Sequence, residues 1–303
     1  MTTTKTHMDG SEWGMLLLLA AIWGASFLFF AIALRELPVF TIVFLRVSLA
    51  AAALWVILLI TGTPVTRQPA MWRNFMIMGL INNVIPFSLI VWGQQEVAPG
   101  LAAILNATTP FFTVLIANSF LADERLTALK LSGAAVGLLG VAAMMGADAL
   151  IHLGQSVWHQ LAILLAAVFY AVNTVFARRF AGLLPLMTAA GQTTCSTLLL
   201  FPLVLLIDRP WQLSMPGGEV VASILALSLL CTALAYVLYF AIVKSAGATN
   251  IALVTFLVPV SAVILGAAVL GEHIGWQHGA GMLAIALGLA LIDGRLFRRK
   301  LVA

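Results

Sequence analysis

Ten apolar stretches run along the 303 residues of this chain, and they fall into two groups of five. The odd number fixes the geometry. A five-span unit that starts on one face of a membrane ends on the other, so a second copy must enter in the opposite sense, as an inverted repeat. The stretches cover 13–33, 38–60, 74–93, 98–118, 127–146, 160–177, 183–207, 220–242, 248–270 and 275–292. At about 1.5 Å rise per residue, some 20 residues match the roughly 30 Å hydrocarbon core of a bilayer. Hydrophobic residues make up 62% of the chain and charged ones 9%, a balance that would leave a water-soluble domain covered in apolar patches. The runs lack the period-two alternation of a membrane barrel, and lipid satisfies no bare backbone group. An all-α integral membrane protein of ten transmembrane helices is therefore expected.

The basic residues set the orientation. With a cytoplasmic N-terminus, Lys5, Arg67, Arg73, Arg125, Lys130, Arg178, Arg179, Lys244, Arg295, Arg298, Arg299 and Lys300 all face the cytoplasm, twelve of the fifteen Lys and Arg. The opposite loops keep only Arg35 and Arg209, so the positive-inside rule places both termini inside. The net charge of +4 then reflects topology, and no nucleic-acid partner is needed to account for it. The first stretch, from Trp13, is too long for the apolar core of a cleaved leader and reads as span 1. Cys195 and Cys231 lie in different spans with neither disulfide nor metal spacing. No cofactor or metal is expected, and the His, Asp and Glu constellations of a membrane-embedded enzyme are missing from the sequence. The division expected is a first repeat over 13–146, a second over 160–292, and cytoplasmic tails at 1–12 and 293–303. The polar stretch Gly146 to His159 links the repeats.

Residues repeat as well as spans. Leu19-Ala20-Ala21-Ile22-Trp23 in span 1 corresponds to Leu165-Ala166-Ala167-Val168-Phe169 in span 6. Mid-span Pro110 corresponds to Pro259, each followed by an acid at the helix end, Asp123 or Glu124 in one half and Glu272 in the other. Together with AAIWGASF in span 1, FLRVSLAAAAL in span 2, ATTPFFTVLIANSFLADERLT and LVPVSAVILGAAVLGEHIG, these features resemble the drug/metabolite transporter superfamily, in its ten-span form built from two EamA repeats. The resemblance implies an inner-membrane metabolite exporter working by alternating access. It also implies that spans 1–4 and 6–9 surround a central cavity while spans 5 and 10 stand outside.

The polar side chains divide the helices the same way without reference to the family. Asn82, Asn83, Pro86 and Phe87 share a stripe in span 3; Asn106, Thr109 and Thr113 share one in span 4. Span 6 offers Tyr170, Asn173 and Thr174, and span 7 offers Thr188, Gln192 and Ser196. Span 8 offers Ser228, Thr232, Tyr236 and Tyr239, and span 9 offers Asn250 and Thr255. Spans 5 and 10 carry almost nothing polar inside, and polar groups facing hydrocarbon are costly, so the stripes are expected to face one another or water. Two roles remain open for each stripe: helix-to-helix hydrogen bonding and substrate contact. The pair Asn82 and Asn83, beside the ring of Pro86, is the leading candidate for the second. Pro86, Pro110 and Pro259 are candidate gates, or static kinks.

Arg46 is the one charge clearly buried in a span, eight residues beyond Pro38 and so about 12 Å from the outer edge. No acid lies within a span core to neutralise it, which leaves backbone carbonyls, a substrate carboxylate or water as partners. The same lack of acids makes facilitated flow as plausible as proton exchange. Phosphorylated cargo calls for several converging cations, so a neutral or zwitterionic solute fits better, with amino acids as the preferred class. The substrate-binding set expected is Trp23, Arg46, Asn82, Asn83, Phe87, Asn106, Tyr170, Asn173, Gln192, Tyr236 and Tyr239. Its aromatic members also admit lipophilic cations by cation–π contact. Trp92 and Phe169 are further aromatics near the expected cavity. The spacings Gly133/Gly137 and Gly275/Gly279 signal close packing and leave a scaffold role, and a monomer or a homodimer, as alternatives.

Overall fold

In the computed structural model the described residues are 8–120, 128–151, 155–180, 182–246, 251, 253–272 and 275–293. Asp123, Glu124, Arg125 and Asn250 lie outside them, as do Lys5, His7, His152, His273, Arg295, Arg298, Arg299 and Lys300.

Ten helical spans are found among the described residues, as the hydropathy dictates. Span 1 is Gly10–Ala33, span 2 Val39–Ile60, span 3 Pro69–Gly93, and span 4 runs in two pieces, Pro99–Asn106 and Thr109–Phe120. Span 5 is Ala128–Ile151, span 6 Gln155–Phe176, span 7 Pro185–Asp208, span 8 Gly218–Ala246, span 9 Val254–Leu270 and span 10 Trp276–Asp293. Seven of these are long and apolar enough to cross a membrane, and Ala128–Gly140, Leu257–Leu270 and Gly279–Gly288 are shorter apolar segments. Asp9 caps span 1 by accepting the Glu12 N–H at 2.9 Å while the Glu12 carboxylate takes the Asp9 N–H, a reciprocal box that fixes where the helix starts. Pro69, Pro99 and Pro185 open spans 3, 4 and 7, where the missing N–H has no helical partner to lose.

The pairing of helices is that of an inverted repeat. Span 1 packs on span 9 and span 6 on span 4; span 3 packs on span 6 and span 8 on span 1; spans 2 and 7 pair with each other. Spans 5 and 10 form the remaining self-matched pair, at one side of the bundle. Glycine permits that last contact. A Cβ at Gly288 would sit 2.8 Å from the Gly137 nitrogen, and one at Gly140 would sit 2.7 Å from the Ala284 methyl. The Gly133/Gly137 spacing is therefore used inside the chain, between the two closing helices.

Three spans widen locally. Leu80–Val84 in span 3, Ala226–Leu234 in span 8 and Val204–Asp208 in span 7 form wider π turns, and the first two occupy corresponding places in the two halves. Such turns free backbone groups and commonly mark functional positions. Span 4 breaks outright at Ala107 and Thr108, just before Pro110. The ring cannot donate to the Asn106 carbonyl, and the Thr109 hydroxyl supplies that bond at 2.8 Å.

Candidate functional site

A cavity of about 690 Å³ lies between spans 1–4 and 6–9. Trp23, Arg46, Asn82, Phe87, Asn106, Tyr170, Asn173, Gln192, Tyr236, Tyr239 and Pro259 all reach its wall. Asn83 does not. It is 1% exposed and donates to the Ser196 hydroxyl at 2.9 Å, so it ties span 3 to span 7 behind the wall. Pro86 and Pro110 are also off the wall: Pro86 follows the π turn of span 3, and Pro110 restarts the broken span 4. Of the aromatics expected nearby, Phe169 does not reach the cavity, and Trp92 stacks on His159 with ring centroids 4.2 Å apart.

One side of the cavity carries a hydrogen-bonded chain of neutral groups. Asn173 Nδ2 donates to Asn82 Oδ1 at 2.9 Å, and Asn82 Nδ2 donates to Gln192 Oε1 at 2.9 Å. Gln192 Nε2 in turn donates to the Tyr236 hydroxyl at 3.0 Å, so spans 3, 6, 7 and 8 meet through their side chains. The interhelical bonding and the cavity wall are here the same residues.

Arg46 adds a charge to the wall. Its Nε donates to Thr232 Oγ1 at 3.0 Å and Nη2 reaches the Cys231 carbonyl at 3.4 Å, both within the π turn of span 8. The Thr232 hydroxyl donates to Leu227 O at 2.8 Å, which leaves its oxygen free to accept from the guanidinium. The guanidinium carbon lies 4.0 Å from the centre of the Phe87 ring and 4.9 Å from that of Phe30, within range of cation–π attraction. The residue is 5% exposed, and no acidic side chain is among the described residues of the wall. A buried cation without a counter-ion is expensive unless something anionic completes it. Neither Phe30 nor the pairing with Thr232 was legible in sequence, because nothing along the chain relates spans 1 and 8 to Arg46.

The two ends of the cavity differ. Its wall extends to Arg178, Phe180, Leu183 and Pro185 at the connection between spans 6 and 7, on the face rich in Lys and Arg. The opposite face is tied shut, mostly by carboxylates reaching across the two halves. Arg35 pairs with Glu219 at 3.1 Å, and Glu36 accepts the Gly217 N–H at 2.6 Å. Asp208 accepts both the backbone N–H and the hydroxyl of Thr41, at 2.6 and 2.8 Å, at the start of span 2. Glu272 accepts the Gly100 N–H at 3.1 Å, at the start of span 4. Partial positive charge at helix starts favours these carboxylates. Their sequence signal was an acid at the end of a span. Its partner in the other half was invisible.

Inverted five-helix repeats around a cavity open to one face and latched on the other define a membrane carrier. Residues 12–146 and 157–293 both match the EamA-like transporter family. Similar proteins include the uncharacterized transporter YoaV of Bacillus subtilis, 24% identical, covering 92% of this chain and 95% of that protein. The uncharacterized inner membrane transporter YedA of Escherichia coli K12 is 26% identical over 95% of this chain and 92% of its own length. A probable terminal-alkyne amino-acid exporter of Streptantibioticus cattleyicolor is 29% identical over 70% of each chain. A solved crystal structure shares the fold with a TM-score of 0.71 at 22% identity, covering 98% of this chain and all of the other. The chain belongs to the EamA-like transporter family, as a multi-pass membrane transporter of the drug/metabolite superfamily.

Proposed function

We propose that the protein exports small zwitterionic or neutral metabolites, amino acids first among them, from the cytoplasm by alternating access through the central cavity. The reading is carried by Arg46, a fixed cation on the wall of a cavity that has no acid among its described residues. A carboxylate is the group that completes it, through charge-assisted hydrogen bonds to the guanidinium N–H groups left over after Thr232 and Cys231. The rings of Trp23 and Tyr239, with centroids 5.9 Å apart, offer an apolar surface for a side chain. The amino-acid exporter among the similar proteins supports the same class.

Lipophilic cations fit the charge poorly. Two like charges about 8 Å apart at an effective dielectric of about 20 repel by roughly 2 kcal/mol, about thirtyfold in affinity. The basic residues favour placing the open end of the cavity at the cytoplasm, with both termini inside a bacterial inner membrane. Efflux of labelled amino acids from proteoliposomes, with Arg46→Gln beside the unaltered protein, tests the proposal. Export of amino acids that Arg46→Gln abolishes is expected, and equal flux in protein-free vesicles overturns it.

A further inference from the structure

The charge balance of the cavity reaches beyond amino acids. A zwitterion satisfies Arg46 with its carboxylate, but it also brings an ammonium group that must leave water, and the described wall has no acid to receive it. Amide carbonyls would be the next acceptors, and they are engaged with one another. Asn82 Oδ1 takes the Asn173 amide at 2.9 Å, and Gln192 Oε1 takes the Asn82 amide at 2.9 Å. The carbonyl oxygens of Asn106 and Asn173 carry no hydrogen bond, yet both are buried, so they face no open space in this state. An ammonium is therefore left with the second lone pairs of engaged amide oxygens and the faces of the rings, and with no counter-charge on the described wall.

A carboxylate on a purely apolar body needs none of this. It neutralises Arg46, and its body meets a wall dominated by rings and aliphatic groups, including Trp23, Phe30, Phe87 and Tyr239. Such a pair is electrically neutral as a whole, which is the inexpensive arrangement at mid-membrane depth, whereas Arg46 with a zwitterion keeps one positive charge. A volume of about 690 Å³ is ample for a phenyl-substituted acid.

We infer that the cavity takes apolar monocarboxylates without an amino group, aromatic or branched aliphatic acids, as cargo alongside amino acids, with Arg46 as the carboxylate anchor. The inference rests on the Arg46 cavity being the transport site. It makes the carboxylate obligatory and the ammonium dispensable.

Calorimetric titration of the purified full-length protein at neutral pH with 3-phenylpropionate, phenylalanine and phenethylamine tests it, because these share a phenyl body and differ only in their charged groups. Phenylpropionate is expected to bind at least as tightly as phenylalanine, and phenethylamine about thirtyfold more weakly than either. Arg46→Gln is expected to weaken both acids by about tenfold or more. Binding of phenylalanine without phenylpropionate overturns the inference and leaves amino-acid export standing. Binding of phenylpropionate without phenylalanine supports the inference and removes the amino-acid reading. Failure of both acids to bind overturns the two together. The three ligands decide the matter on the unaltered protein even where Arg46→Gln fails to accumulate. Loss of phenylalanine but not phenylpropionate in Arg46→Gln also overturns the anchor.

Discussion

The latch between Glu272 and span 4 is built around two glycines, and adding one methyl group is predicted to open it. A Cβ at Gly266 would lie 2.6 Å from the Glu272 carboxylate, too close for any real contact, so Gly266→Ala must push the carboxylate away. The bond lost is the one from the Gly100 N–H, 3.1 Å in length. Hydrogen bonds to charged groups contribute about 1.5–3 kcal/mol, which converts to a tenfold to hundredfold shift from the latched toward the open state. Alanine also raises helix propensity by about 1 kcal/mol, so weakening of span 9 itself cannot produce the effect. Ala103, 1% exposed and on the cavity wall, lies one turn beyond Gly100. A cysteine at Ala103, in a background with Cys195 and Cys231 replaced by serine, reports opening through its reaction with a membrane-impermeant maleimide applied outside spheroplasts. Labelling is expected to accelerate by tenfold or more in Gly266→Ala. An unchanged rate, with the variant folded and inserted, refutes the argument that this carboxylate holds the face shut.

Burial pushes the Glu272 carboxyl above its usual range, opposed in part by the Gly100 N–H. A proton thus binds the latched state more tightly than an open state in which the group is solvated, so acid outside favours latching and the preference fades as pH rises through the raised value. The same Ala103→Cys reporter should be labelled more slowly at low external pH, relative to a cysteine at the exposed Met215, and Glu272→Gln should remove the difference. Asn83→Ala deletes the bond to Ser196, whose hydroxyl keeps the Gln192 carbonyl at 2.7 Å, and should cost about 1 kcal/mol in denaturation without changing ligand affinity. Asn82→Leu, on the wall and bonded to Gln192, should lower flux in a transport assay. Gly288→Leu forces spans 5 and 10 apart and should cost at least about 1–3 kcal/mol in denaturation, with binding retained in whatever protein folds.

The helices and their division into two kinds follow from local pattern. Apolar runs of bilayer length and polar stripes at helical spacing need no knowledge of neighbours, because lipid enforces both one helix at a time. The segregation of spans 5 and 10 is legible for the same reason, their interiors offering only small and apolar groups. Which polar residues face the cavity is less so. Asn82 and Asn83 are adjacent in sequence and belong to the same stripe, yet within the π turn one lies on the wall and the other against Ser196. No periodicity computed at 3.6 residues anticipates that turn.

The sequence by itself determined the ten spans, the inverted duplication and the presence of one unpaired cation within the membrane. Tertiary structure decided what that cation meets. In the second half, Cys231 and Thr232 stand where the first has Asn82 and Asn83, and the fold brings that departure from symmetry onto Arg46. It likewise decided the state of the carrier, because Asp208 and Glu272 find helix starts 167 and 172 residues away. Hydropathy acts on one helix at a time, while hydrogen bonds to a guanidinium or a helix start depend on which two helices meet, and only packing sets that.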